Sequence, residues 1–203
     1  MKTQLFYSIF LITFFVVYIL VLYVFNIKAF RNKYHIEPRV VTKSDAVMYK
    51  LQLYRNGIFF GLMMNIMVYA FFPTYYELLV PIPYLEIPFL KGIGVVVLIG
   101  SLLLTRFSQM QLKGAWRIGI DSSETHGTLV TDGIYKVSRN PIALGMLLST
   151  IGLFLVTPNM ITFSIIILVH LIFSIRILLE EEHLYKLHGE AYERYRNRTR
   201  KWI

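Results

Sequence analysis

An all-α, polytopic membrane bundle of five transmembrane helices is the fold that this sequence predicts, and three observations carry that expectation. The chain has 203 residues, of which 56% are hydrophobic and only 16% charged, with a mean hydropathy of +0.55; this is too apolar for an ordinary water-soluble domain of that length. The apolar residues gather in runs close to membrane-spanning length, about 20 residues. The Lys and Arg residues fall in alternate connections between those runs, as the positive-inside rule requires of a cytoplasmic face. Much of the apolar surface would then be covered by lipid, and a single domain, 1–203, is the natural organisation.

The first run, Leu5 to Phe25, follows a lone Lys2. It is too long for the core of a signal peptide and no small-residue cleavage site follows it, so it is expected to remain as a helix. From Asn26 to Asn56 the chain reads as a basic loop, with Lys28, Arg31, Lys33, Arg39, Lys43, Lys50 and Arg55 against Glu37 and Asp45. Within it, Ser44 followed by Val47 and Met48 suggests either a short interfacial helix or a solvated linker. Gly57 to Phe72 forms the second span. The next segment carries Pro73, Pro81, Pro83 and Pro88 with Glu77 and Glu86 and no basic residue, which suits an external loop lying against the membrane surface.

The third span runs from Phe89 to about Leu104, and Arg106 follows at the expected cytoplasmic interface. A polar connection to Pro141 contains Lys113, Arg117, Lys136 and Arg139. The fourth span, Ile142 to Val156, turns at Thr157 to Asn159 into the fifth, Met160 to Leu179, and the tail beyond is basic. The amino terminus is therefore expected outside and the carboxyl terminus in the cytoplasm; for a bacterial chain the bilayer would be the inner (plasma) membrane. No internal repeat supports a transporter built from inverted halves.

Composition excludes several chemistries. The chain has no cysteine, so disulfides, thiolate metal sites and a cysteine nucleophile are ruled out. A net charge of +9 reflects cytoplasmic loops and their contact with anionic lipid rather than a nucleic-acid partner. No metal is expected, because His126, His170, His183 and His188 have no convincing second ligand at metal spacing; His170 reads as a packed or bundle-facing residue. Phosphate-binding loops, dinucleotide fingerprints and nucleophile elbows are missing as well.

Two polar clusters remain to be explained. Arg176 interrupts an apolar run, with Glu180 one helical turn later on the same face, where the two can meet; the plainer alternative is an arginine that snorkels to the interface. Glu180, Glu181 and Glu182 place acidic groups at a helix end whose dipole opposes them, which calls for a cation such as an ammonium or sulfonium, unless they form a merely solvated face. Upstream, GIYKVSRNPIALG at Gly133 to Gly145 puts Asn140 at an N-cap and Pro141 at the first turn of span four. Arg139, Asn140 and helix-start amides would converge there on an anion or carboxylate. The intervening hairpin would return the acidic cluster to this segment, making the two one site at the cytoplasmic face.

The order of these features, namely an Arg at a span end (Arg106), a loop with Gly114 and Trp116, the segment Tyr135, Arg139, Asn140, Pro141, Gly145, a helical hairpin, and then Arg176, Glu180, Glu181 and Leu184 with Gly189 and Tyr192, resembles the membrane-embedded methyltransferases related to isoprenylcysteine carboxyl methyltransferase and phospholipid N-methyltransferases. The likeness covers roughly residues 100 to 197. It implies a variable amino-terminal part, 1–90, a methyltransferase-like region, 91–203, and S-adenosylmethionine as cofactor, held by Tyr135, Arg139, Asn140, Pro141, Gly145, Glu180 and Glu181. Arg106 and Arg176 would orient a lipophilic or membrane-delivered acceptor, a carboxylate, amine or thiol. Asn140 stands where the family has His, and Ala143 where it has Tyr, which bears on acceptor choice. An NADPH-dependent reductase of the sterol type, or a non-catalytic lipid-binding scaffold, are the alternatives.

Overall fold

The computed structural model describes residues 2–39, 46–119 and 128–203. Within them the chain forms α1 (Lys2–Ile19), α2 (Asn26–Tyr34), α3 (Ala46–Phe71), α4 (Pro88–Leu112), α5 (Pro141–Val156), α6 (Met160–His188) and α7 (Glu190–Arg198), with no strand among the described residues. All-α architecture is therefore what the sequence leads one to expect. The element ends differ from the expectation in instructive places.

Helix α1 runs into α2 through a π-helical segment, Leu20–Phe25, so the first stretch is helical to Tyr34 rather than ending at Phe25. It stops where His35 takes a left-handed conformation, φ 55°, and its N–H donates to the Arg31 carbonyl at 2.9 Å. The expected loop begins late because Ile27 and Phe30 form an apolar face that packs on Trp116, while Lys28, Arg31 and Lys33 point outward. Residues 46–56 likewise form the first turns of α3 instead of a separate interfacial helix or linker; Ser44 lies outside the described residues. Leu51 is buried by this extension.

Three stretches, Thr3–Tyr34, Pro88–Ala115 and Met160–His188, are long and apolar enough to cross a membrane. Of the other two expected spans, α5 is apolar but only 16 residues long, and the 26-residue α3 carries Lys50, Arg55, Asn56 and Asn65. Large apolar side chains such as Phe6, Phe60, Val96 and Leu178 are exposed on the outer faces of the bundle, the pattern of a surface covered by lipid rather than water.

The two ends of the bundle are tied differently. At one end the proline-rich connection forms short 3₁₀ turns at Pro73–Leu79 and Pro83–Leu85. It meets the α5–α6 turn through Ile82 N–H to the Pro158 carbonyl at 2.9 Å and Met160 N–H to the Val80 carbonyl at 3.0 Å. Beneath them the Asn65 amide donates to Thr157 Oγ1 at 3.0 Å, and the Asn159 amide donates to Asn65 Oδ1 at 2.8 Å. Asn159 also caps α6, accepting from Thr162 N–H at 2.9 Å, so each buried amide has the partners that burial demands.

The closest helix packing joins α4 to α5. A Cβ on Gly94 would stand 2.8 Å from the Gly152 carbonyl oxygen, and one on Gly145 would stand 2.2 Å from Thr105 Oγ1. Ser101 and Ser149 share a 2.9 Å hydrogen bond across the same seam. Small residues and hydroxyls hold helices together where lipid gives no hydrophobic drive between them. The opposite end of this pair carries both polar clusters.

Candidate functional site

The segment after α4 turns at a glycine where a side chain would strain the backbone and displace Gln111. Gly133 has φ +58°, and a Cβ there would lie 1.5 Å from Gln111 Nε2, while Gln111 Oε1 accepts the Ile134 N–H at 2.8 Å. The 3₁₀ turn that follows, Gly133–Lys136, buries Tyr135. The Tyr135 hydroxyl donates to the Ser108 carbonyl at 3.3 Å, and its own carbonyl accepts from the Tyr195 hydroxyl at 2.7 Å. Burial, with Glu180 nearby, raises the Tyr135 phenol well above its ordinary value, and burial pushes Tyr195 up to about 12. Both stay neutral donors.

Arg139 draws the two polar clusters together. Its Nη2 and Nε donate to Glu181 Oε1 at 2.8 and 3.0 Å, and its Nη1 donates to the carbonyls of Arg196 and Thr199. The Arg139 backbone N–H reaches the Arg200 carbonyl at 3.0 Å. Asn140 occupies the N-cap position of α5 with Pro141 at its first turn, but no side chain caps the helix; the Asn140 amide donates instead to the Lys201 carbonyl at 3.0 Å. The segment therefore clasps the tail as well as α6.

Two cavities open from this arrangement. A polar one lies between the Tyr135–Ala143 segment, Trp116 to Gly119, and the α6 residues Glu180, His183 and Leu184. An apolar one lies among α1, α3, α5 and α6, walled by residues such as Phe14, Phe59, Leu62, Ile66, Leu153 and Val169. Tyr23, Arg55, Ile118, Gly119, Met146, Phe173 and Arg176 line both, so the cavities meet at those residues.

Of the residues singled out from the sequence, Tyr135, Arg139, Asn140, Pro141, Arg176 and Glu180 line the polar cavity. Glu181 is behind it, bound to Arg139. Gly145 lies at the α4–α5 seam. Arg106 lines neither cavity; its Nη1 donates to Asn26 Oδ1 at 2.6 Å, and the Asn26 amide donates to Gln109 Oε1 at 3.1 Å. Arg176 and Glu180, expected as a pair, make no ion pair with each other, and neither has a hydrogen bond or ion pair among the described residues. Glu182 pairs with Lys186 at 2.6 Å on the exposed side of α6.

The histidines divide similarly. His183 and His188 line the polar cavity, whereas His170 is exposed, with its ring 6.0 Å from Trp202; His126 lies outside the described residues. No cluster of potential metal ligands occurs among the described residues. Sequence reasoning missed Tyr23 and Arg55. The signal for Arg55 was helical spacing: Leu51, Arg55, Ile58, Leu62 and Ile66 recur at intervals of three and four and line one cavity, whereas nothing in the sequence singled out Tyr23.

Comparison with known proteins bears on this arrangement directly. No curated protein matches the chain in sequence. The family model for phospholipid methyltransferases matches residues 89–191, from the start of α4 into α7, so that α4, the Gly133–Gly145 segment, the hairpin and the acidic run all fall within the match. This chain belongs to the phospholipid methyltransferase family.

Proposed function

We propose that the protein is an S-adenosylmethionine-dependent methyltransferase that acts, within the membrane, on a lipophilic acceptor. The observation that carries this reading is the meeting of a polar cavity, built by the family segment, with an apolar cavity open to α1 and α3. One chamber suits a polar, charged cofactor and the other an apolar acceptor. Family membership itself points to lipid substrates.

The residues of the polar chamber suit this cofactor. Glu180 presents a carboxylate with no partner among the described residues, which favours a bound cation. Neutral Tyr135 walls the chamber beneath. When bound, S-adenosylmethionine supplies an electrophilic methyl group on a positively charged sulfur. Glu180 would hold the cationic part of that molecule, while Tyr135, His183 and the start of α5 enclose the rest.

Arg176 would orient the polar head of the acceptor at the junction, with the tail among Phe14, Phe59 and Leu62. Alignment of acceptor and methyl group, with water kept from them, would supply much of the rate that methyl transfer requires. Arg106 would act at one remove, by fixing Asn26 and Gln109 beneath the turn into α2. Gly145 would contribute by letting α5 close on α4, and Glu181 by locking Arg139.

In the bilayer we place α1–α2, α3, α4, α5 and α6 as five spans, with the amino terminus outside and both cavities toward the cytoplasmic face. The short α5 and the charged lower part of α3 are then bundle elements near the interface, where Lys50 and Arg55 remain close to water or ligand.

Calorimetric titration with S-adenosylmethionine tests the assignment. The unaltered protein should bind it, and Glu180→Gln should weaken binding by about tenfold or more, the value of one charge-assisted contact. Equal binding by both would overturn the role of Glu180, and no binding by the unaltered protein would overturn the function.

A further inference from the structure

Two arginines stand at the junction of the cavities, and among the described residues neither is ion-paired with an acidic group. Arg55 reaches it from α3 and Arg176 from α6; both are partly buried and both line each cavity. Neither has a hydrogen bond or ion pair among the described residues. They are near enough to interact electrostatically with each other and with Tyr23. Two like charges held together against apolar walls repel one another and are poorly hydrated, and an anion placed between them relieves both costs.

Among the described residues, the surroundings leave that anion to a ligand. Among the described residues, no Asp or Glu lines the apolar cavity, and Glu180 alone supplies a carboxylate to the polar one. The walls on the α1 and α3 side are mostly apolar, with Phe14, Phe15, Phe59, Leu62 and Ile66 beside Tyr18 and Gln52, and accept a hydrocarbon. Planar guanidinium groups, moreover, are matched to the two oxygens of a carboxylate or phosphate. The family match begins at residue 89, so α3 and Arg55 lie outside it.

We infer that Arg55 and Arg176 form a two-guanidinium clamp for the oxyanion head group of an amphiphile whose tail lies in the apolar cavity, and that Arg55 sets the preference for anionic over neutral acceptors. Calling that amphiphile the acceptor rests on the methyltransferase reading above; the clamp itself does not. Carboxylate and phosphate share the chemistry that the clamp recognises, and the experiment separates them.

The full chain, purified in detergent or nanodiscs, is titrated with three probes of matched tail: hexadecanoate, hexadecyl phosphate and hexadecanol. The expected result is binding of at least one oxyanion probe about tenfold or more tighter than hexadecanol, the value of a charge-assisted contact. Arg55→Gln should remove most of that preference without weakening hexadecanol, and Arg55→Lys, which keeps the charge but loses the fork, should restore part of it. The tighter of the two oxyanion probes identifies the head group.

Equal binding of all three probes by the unaltered protein, or an unchanged preference in Arg55→Gln, overturns the clamp. S-adenosylmethionine binding measured in the same preparations keeps the two ideas apart. A lost oxyanion preference with cofactor binding intact supports the clamp, and an intact preference without any cofactor binding overturns the methyltransferase reading alone. Should Arg55→Gln fail to fold, Arg55→Lys and Arg176→Lys carry the comparison, since both keep the charge.

Discussion

Arg139 and Glu181 are each nearly enclosed, with side chains 11% and 14% exposed, whereas Glu182 and Lys186 are 61% and 69% exposed. The difference decides which pair matters, because an exposed ion pair is worth little and an enclosed one is costly to break from one side. Arg139→Ala strands Glu181 and frees two carbonyls of the tail, those of Arg196 and Thr199, and should lower stability by about 3 kcal/mol in a denaturation experiment. Glu182→Gln should change it by less than about 1 kcal/mol. The sequence signalled that Arg139 and the acidic run belong together, since a hairpin separates them, but it could not say which glutamate takes which arginine. One step along α6 turns a side chain by a quarter-circle or more, so Glu180 faces the cavity, Glu181 faces Arg139 and Glu182 faces Lys186. Arg55 was hidden for a related reason: seven basic residues in one polar stretch look alike until packing turns one of them inward.

Elements bounded by proline or an Asn cap were legible to within a residue, as at Pro141 and Met160 after Asn159, because such residues act through local backbone chemistry. Ends without that punctuation were not. Helix α4 continues past Leu104 to Leu112 because Thr105, Ser108 and Gln109 are buried against neighbouring elements, and Thr105 and Ser108 bond back to carbonyls one turn earlier; polarity there marks packing rather than exit from the helix. The same seam makes a prediction about helix pairing. Gly145→Ala would set a methyl group against Thr105 Oγ1 at 2.2 Å and the Ser101 carbonyl at 3.2 Å, so α5 must move away from α4, at about 1 to 3 kcal/mol. The melting temperature should fall, and Thr105→Ala in the same protein should recover part of the loss; no recovery would mean that the backbone contact dominates.

Across the whole molecule, the two ends of the bundle differ in charge and in fastening: amides and prolines at one, arginines, glutamates and the tail at the other. The alternation of basic and non-basic connections was readable because the bilayer imposes it on sequence. The cavities were not, since they arise between helices distant in the chain. Orientation can be tested cleanly because the protein has no cysteine. An impermeant maleimide applied to intact cells should label Tyr84→Cys, 79% exposed in its native form, and spare Arg194→Cys until the membrane is opened. The reverse pattern would invert the topology proposed above.

The clasp between Arg139, Asn140 and the backbone of Thr199, Arg200 and Lys201 also sets an order of events in biosynthesis. A ribosome delivers the helices one after another into the membrane, yet this clasp cannot be completed until residue 201 has left the exit tunnel. A nascent chain stalled anywhere before that point would hold its spans in the bilayer without this clasp. The protein can therefore be inserted for some time before its tail is fastened to the bundle.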